Sequence, residues 1–322
     1  MIGTMHRMIK KYLALDDVMY AIGYQKGSYG FRVSPSFAYI PDDVDRFTFS
    51  PLCVNNLAVY PMLEEKQPLP RGKIAPKLRT VVVVKGCDSK ALVQIIKEKG
   101  KTRDEVVIIG IPCKGVVDLH KLEAQFPEAS GDVAITDDGF VVTIDGVEHL
   151  VPRAELIAAK CERCEHPNPV IYDEFLGEPV EPKEDNFNDI AEIEAMSVED
   201  RWKYWEKVFN KCIRCFACRN VCPLCYCKSC SGEELNPEWI RRSVNISENT
   251  AWNLLRAYHL AGRCIGCGEC ERACPMGLPL SQLNRKMAKD VRDLFGYTAG
   301  TNPDDKPLLT FYNPNDPEGC MI

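Results

Sequence analysis

Apolar positions follow two regimes along this chain. Between residues 80 and 151 they come as short continuous or alternating runs, and after residue 197 they recur at helical spacing. Val81-Val82-Val83-Val84 is a continuous run of the kind shown by a strand buried on both faces. Gly86-Cys87-Asp88-Ser89 follows, and Ala91, Leu92, Ile95 and Ile96 predict a helix over 90–99, capped by Asp88 or Ser89. The unit then repeats. Val106-Val107-Ile108-Ile109 is a second strand, Gly110 to Gly115 a second turn, and Val116 to Phe126 a second helical stretch. Strand-turn-helix taken twice predicts parallel pairing with a right-handed crossover. Both turns then lie at one edge of the sheet, where ligands bind in open α/β folds. Val133 to Val151 reads as short strands around the turn sequences Asp137-Asp138-Gly139 and Asp145-Gly146, and a helix over 152–160 follows.

The flanking regions carry weaker patterns. Leu13, Val18, Met19 and Ile22 suit a short amphipathic helix after Leu15-Asp16, and prolines at 35, 41, 51, 61, 68, 70 and 76 break the chain into extended pieces and turns. Residues 167–196 are acidic and proline-bearing, as in an interdomain linker. Ser197-Val198-Glu199-Asp200 resembles a capping box, and Trp202, Trp205, Val208 and Phe209 form the apolar face of the helix it starts. Further helices are predicted over 249–260, with Trp252, Leu254, Leu255 and Tyr258, and over 280–294, with Leu283, Met287, Val291 and Leu294. The fold class is α+β. An N-terminal α/β domain with a small parallel sheet spans 1–166, a linker 167–196, a mostly helical domain 197–298, and an extended tail 299–322 that is either wrapped on a partner or loosely ordered.

Composition narrows the function. The 322 residues carry a formal net charge of −6, and no basic stripe marks a nucleic-acid surface. The N-terminus has charges at His6, Arg7, Lys10, Lys11, Asp16 and Asp17 and no apolar signal core, and no run approaches the roughly 18 apolar residues of a membrane span. Seventeen cysteines are an odd number in clustered spacings, which fits metal ligation in a reducing compartment rather than disulfides. These features point to a cytoplasmic protein of an anaerobe.

The chemistry sits in two matching stretches. Cys212, Cys215, Cys218 and Cys222 precede Pro223, and Cys264, Cys267, Cys270 and Cys274 precede Pro275. Both read C-x-x-C-x-x-C-x-x-x-C-P, the spacing of two-cluster [4Fe–4S] ferredoxins, in which the fourth cysteine of each run ligates the other cluster. Cys212, Cys215, Cys218 and Cys274 are thus expected on one cluster, and Cys264, Cys267, Cys270 and Cys222 on the second. A third set pairs Cys87 and Cys113, one in each sheet-edge turn, with Cys161 and Cys164. A third [4Fe–4S] cluster is the expectation there; a structural zinc, a Cys161/Cys164 dithiol and inert core thiols are the alternatives. His166 and Lys114 beside this set are expected to be surface side chains. Cys225, Cys227 and Cys230 crowd behind Cys222; they are read as free or alternative thiols or as a fourth centre completed by Cys53 or Cys320.

Two family resemblances follow from these stretches. The region from Cys212 to Pro275 resembles dicluster ferredoxin domains of the helical type found in heterodisulfide-reductase and succinate-dehydrogenase iron–sulfur subunits. Lys85-Gly86-Cys87-Asp88-Ser89-Lys90-Ala91-Leu92, Gly110-Ile111-Pro112-Cys113 and the run from Cys161 to Pro169 resemble the beta subunits of deazaflavin-linked hydrogenases and formate dehydrogenases. A weaker similarity is to electron-input subunits of sulfhydrogenases and anaerobic sulfite reductases. The beta-subunit resemblance implies a cluster on Cys87, Cys113, Cys161 and Cys164 and, in many members, a bound FAD. Residues 1–78 carry no glycine- and threonine-rich flavin loop, so the flavin is expected in a partner more than in this chain. The reading is an electron-transfer subunit of a multi-subunit oxidoreductase, partnered by a flavoprotein or by catalytic subunits. A flavin-dependent dehydrogenase with its own FAD, using deazaflavin or NAD, and a free ferredoxin-like carrier are the rivals.

Overall fold

The continuous apolar runs form the centre of a sheet. The computed structural model describes residues 1–63 and 78–316; prolines 68, 70 and 76 and Cys320 lie outside them. The chain divides into two compact units, one made of Met1–Pro61, the stretch ending at Lys90, and Lys101–Asp185, the other chiefly of Ala91–Gly100 and the residues from Asn186 onward.

In the first unit the helix Ile2–Leu13 buries Met5, Ile9 and Leu13, four residues apart on one face. It leads into β1 (Val18–Lys26), β2 (Val33–Ala38) and β3 (Phe47–Thr48), then β4 (Arg79–Val84) and β5 (Val106–Gly110). The helix expected after Leu15-Asp16 is instead β1. Tyr20 to Tyr24 are buried and both edges of β1 are paired, by β2 and β4, so strand pairing and packing override the partial helical spacing of Val18 and Ile22. β1 pairs antiparallel with β2 and β3 and parallel with β4; β4 pairs parallel with β5. Val84 lies beside Gly110 in that register, so Cys87 and Cys113, each three residues on, leave the same edge of the sheet. Three further strands, β6 (Gly131–Ile135), β7 (Gly139–Ile144) and β8 (Val147–Pro152), make the expected antiparallel sheet around Asp137-Asp138 and Asp145-Gly146.

Other boundaries differ from the sequence pattern. The helix after β4 runs Gly86–Lys97, because the Lys85 carbonyl already accepts Ser89 N at 2.9 Å. Cys87 therefore sits in a first helical turn. The second helix is shorter, Leu119–Gln125, with the Asp118 carboxylate accepting His120 N at 3.0 Å. Val116 and Val117 stay extended, since Val117 bridges Ile157 and the Val116 carbonyl accepts Ala158 N. For the same reason residues 152–160 form two single turns, Arg153–Leu156 and Ala159–Glu162, rather than one helix. The stretch expected as a linker belongs to both units. It adds β9 (Glu174–Phe175) parallel to β5 in the first, and the helix Asn188–Glu194 in the second.

The second unit is helical. Ser197 caps the helix Val198–Phe209 by accepting Asp200 N at 3.1 Å. Val208 and Phe209 pack with Cys218, Cys270, Leu278 and Leu280 in one apolar cluster. Trp202, expected on that face, is 51% exposed, and Trp205 is only partly buried. The helix expected over 249–260 spans Ile246–His259 and is capped by Asn245, and the last helix spans Leu280–Phe295. Among the described residues no helix is long and apolar enough to cross a membrane.

Candidate metal centres

In the first unit, three separate segments are brought to the cysteine-bearing edge of the sheet by backbone contacts. Gly86 lies under the segment that follows Cys164: a Cβ added there would overlap the His166 carbonyl oxygen and sit 2.9 Å from its carbon. Cys113 N donates to Pro167 O at 3.0 Å, and the Ser89 hydroxyl accepts Val170 N at 2.8 Å and Ile171 N at 3.0 Å. Lys183 clasps the same loop, its N donating to Cys164 O at 2.9 Å and its Nζ to Cys161 O at 3.0 Å.

Cys87, Cys113, Cys161 and Cys164 come together as a result. Burial pushes the Cys113 thiol up to about 12, and the neighbouring Cys161 and Cys164 sulfurs add to the rise. Burial likewise raises Cys87, with Asp88 and Cys113 contributing, and raises Cys164, with Cys161 contributing. Val116 N points at Cys161 Sγ from 3.5 Å. Beneath the set lies a buried ion pair that the sequence pattern did not single out. Lys85 Nζ lies 2.9 Å from Asp88 Oδ2 and also bonds Tyr24 OH and Asn55 O, while Asp88 accepts Lys85 N at 2.8 Å and Leu57 N at 3.2 Å. Burial alone would push the Lys85 ammonium down; the Asp88 carboxylate outweighs it and holds the amine charged. Lys114, expected at the surface, is exposed and reaches Asp137 at 3.4 Å.

In the second unit the two motifs fold alike. Arg214 and Phe216 of the first, and Gly266 and Gly268 of the second, all adopt left-handed φ, at 54, 60, 71 and 68°. Each motif then makes one helical turn, Ala217–Asn220 or Glu269–Arg272. Cys212, Cys215, Cys218 and Cys274 line one pocket, together with Arg214 and Trp252. Burial pushes the Cys270 thiol up to about 12, and the Cys264, Cys222 and Cys218 sulfurs raise it further. Cys267, also buried, lies between the two left-handed glycines. Cys274 thus lies with the cysteines of the first motif, and Cys222 lies near Cys270 of the second.

A polar stripe on the helix Ile246–His259 serves these loops, one that the spacing of apolar positions does not reveal. Asn249, Asn253 and Arg256 recur at helical spacing and are buried; charged and amide side chains on a core-facing stripe were the available signal. Asn249 Nδ2 donates to Phe209 O at 3.0 Å and Cys212 O at 2.8 Å. Arg256 Nη2 donates to Cys218 O at 3.1 Å, and its charge lies beside Cys270, Cys222, Cys225 and Cys218. From the last helix, Asn284 Nδ2 reaches Cys270 Sγ at 3.6 Å. Tyr258, expected among the apolar positions of this helix, is exposed.

Of the extra cysteines, Cys225 lies against Cys222. Its N donates to Cys222 O at 3.1 Å and its thiol hydrogen-bonds the Cys222 sulfur, which, with Arg256 nearby, favours ionisation of Cys222. Cys227 is exposed, and Cys230 lies by Arg219. Cys53 is a core thiol of the first unit, held by Ser50 N at 3.3 Å and pushed up to about 11 by burial. Every cysteine among the described residues is a free thiol, and none of their His, Cys, Asp and Glu side chains group in threes on a single ion. A [4Fe–4S] group instead spreads its thiolates over four irons. Soft sulfur donors on short loops, a buried guanidinium among them and N–H groups aimed at sulfur fit such a group.

Comparison with known proteins agrees with this chemistry. Residues 211–279 match the 4Fe-4S dicluster domain family. The F420-dependent formate dehydrogenase subunit beta of Methanocaldococcus jannaschii is 26% identical, over 74% of this chain and 79% of the relative. The F420-dependent formate dehydrogenase 1 subunit beta of Methanococcus maripaludis is 25% identical, over 72% and 75%. Polyferredoxin protein MvhB of Methanothermus fervidus is 33% identical over 22% of this chain and 21% of its own length. A chain of the F420-reducing [NiFe] hydrogenase complex from Methanosarcina barkeri aligns with a TM-score of 0.39 and 15% identity, over 51% of this chain and 60% of that chain. The protein is homologous to the beta subunits of F420-dependent formate dehydrogenases and carries a 4Fe-4S dicluster domain near its C-terminus.

Proposed function

We propose that this protein is an iron–sulfur electron-transfer subunit of a cytoplasmic, multi-subunit oxidoreductase. The observation that carries the reading is the crossing of Cys222 and Cys274. Cys274 lines the pocket of the first motif's cysteines and Cys222 lies near Cys270 of the second, which supports the exchange of ligands that a two-cluster site makes. Bound [4Fe–4S] clusters would pass single electrons; the chain's own residues hold them, exclude water and set their potentials. Cys212, Cys215, Cys218 and Cys274 hold one cluster, and Cys222, Cys264, Cys267 and Cys270 the other. Cys87, Cys113, Cys161 and Cys164 hold a third in the first unit. That set is supported by four converging thiols on three segments and by the lysine clasp of the Cys161–Cys164 loop.

The partner is a flavoprotein or a catalytic subunit, with an F420- or formate-linked reaction suggested by the named relatives. Anaerobic iron and acid-labile sulfide per chain test the reading: about twelve irons are expected, at four per cubane. About eight would remove the cluster from the first unit, and fewer than eight would sink the dicluster assignment. Gel filtration of the untreated extract tests the partnership, because a free carrier would elute alone.

A further inference from the structure

The two cysteine motifs share a backbone but not a charge. Cys212-Ile213-Arg214-Cys215-Phe216-Ala217-Cys218 matches Cys264-Ile265-Gly266-Cys267-Gly268-Glu269-Cys270 position by position. The second motif meets its left-handed positions with glycine, at no steric cost. The first places Arg214 and Phe216 there, against the preference of any residue with a Cβ. Strain of this kind persists where the surroundings enforce it and often marks a functional position.

Arg214 is 6% exposed and lines the pocket formed by Cys212, Cys215, Cys218 and Cys274. Its Nη1 donates to Glu248 O at 3.0 Å, a neutral acceptor that leaves the positive charge in place. Its Nε and Nη2 are buried without a hydrogen-bond partner. The Phe216 and Trp252 rings, each 5.6 Å from the guanidinium carbon, wall it off from water. The second motif has no side chain at the matching position. Where the first has Ala217, it has Glu269, 2% exposed and 2.7 Å from Arg272. Arg256 is not the source of this difference: it donates to Cys218 O of one set, but its charge acts most on Cys270 and Cys222 of the other and so opposes it.

We propose that Arg214 sets the midpoint potential of the centre held by Cys212, Cys215, Cys218 and Cys274 above that of the centre held by Cys222, Cys264, Cys267 and Cys270. A reduced centre carries one more negative charge than an oxidised one. A buried cation with free N–H donors stabilises that form, and low local dielectric enlarges the effect. The pair is thereby polarised, with an electron resting preferentially on the centre beside Arg214. This inference rests on the dicluster reading above.

The test is an EPR-monitored potentiometric titration of the full chain, reconstituted anaerobically and assayed for iron first. Arg214→Gly, which also relieves the left-handed strain, is expected to lower the higher of the two couples of this domain. The expected shift is at least a tenfold change in reduced-to-oxidised ratio, ~59 mV for one electron, with the lower couple unmoved. Arg214→Gln, which keeps the Cβ and loses the charge, should do the same, and Arg214→Lys should hold the parental gap. The inference is overturned if either neutral variant leaves both couples in place or moves the lower one. It is also overturned if Arg214→Lys shifts the couple as far as Arg214→Gly does. A parent with fewer than eight irons would instead contradict the dicluster reading, before any potential is compared.

Discussion

Gly86 offers the sharpest test of how the first unit assembles its cysteines. Its φ is not left-handed, so the constraint is space rather than backbone freedom. A methyl group at Gly86 would overlap the His166 oxygen, lie 2.9 Å from His166 C and 3.0 Å from Asn168 O. All three neighbours are backbone atoms, which cannot rotate away as a side-chain tip could. Gly86→Ala therefore forces the segment after Cys164 off the turn that holds Cys87. Overpacking of this kind costs about 1–3 kcal/mol, and a backbone obstacle places this case near the upper end. Two kcal/mol already changes the folded-to-unfolded ratio roughly thirtyfold. Two measurements follow: urea unfolding of the metal-free chain, and iron per chain after anaerobic reconstitution. The variant should unfold at lower urea and hold about eight irons where the parent holds about twelve, at four per cubane. Gly146→Ala, with nothing within 4 Å of the added Cβ but a φ of 80°, separates general glycine effects from this contact. A Gly86→Ala chain with parental stability and full iron would refute the packing argument and the grouping of Cys87 with Cys161 and Cys164.

Further outcomes are expected from the same structure. Asp88→Asn leaves the Lys85 charge buried without its carboxylate and should cost about 3–5 kcal/mol, read from chemical denaturation; a loss below 1 kcal/mol would show that Lys85 is neutral or hydrated. Gly266→Ala meets no neighbour but must hold a φ of 71°, so it should destabilise the metal-free second unit by about 1–2 kcal/mol. Urea midpoints equal to the parent's would show that the loop is not left-handed. Glu98 accepts Arg263 Nε at 2.8 Å and also bonds Tyr226. Burial raises its carboxyl pKa, but Arg263 prevails and holds it below the ordinary value. A depressed carboxyl stabilises the fold above its unfolded pKa, about 4.3, and that contribution is lost as pH falls through the lower folded value. Glu98→Gln should therefore flatten the acid limb of apoprotein stability below about pH 4.3; an acid limb identical to the parent's would remove Glu98 from it.

Much of the sheet was legible because its strands are buried on both faces. Val81–Val84 and Val106–Ile109 announce themselves as continuous apolar runs, and their parallel pairing follows from the helices between them. β1 was not, since Val18, Met19 and Ile22 also fit a helix and only neighbours on both sides decide between the two. Residues 167–185 look like a solvated linker by composition. Their role is carried by main-chain groups, such as Pro167 O and Val170 N, that leave no mark in side-chain type. Trp202 shows the converse error, an aromatic at helical spacing that faces water.

The cysteine spacing by itself determined the chemistry, because short fixed separations bind sulfur positions to one another without help from the rest of the chain. It also predicts which cysteine crosses to which set. What only the tertiary structure decided is the electrostatic setting of those sulfurs. Arg214 in sequence is one charged residue among forty lysines and arginines; in the fold it is a buried cation with two unpartnered donors on one cysteine pocket. Arg256 becomes a charge between two sets, and Lys85 and Asp88 a buried pair under a third. Burial and proximity come from segments far apart in the chain, and the low dielectric they create is a property of the packed interior that residue order does not carry.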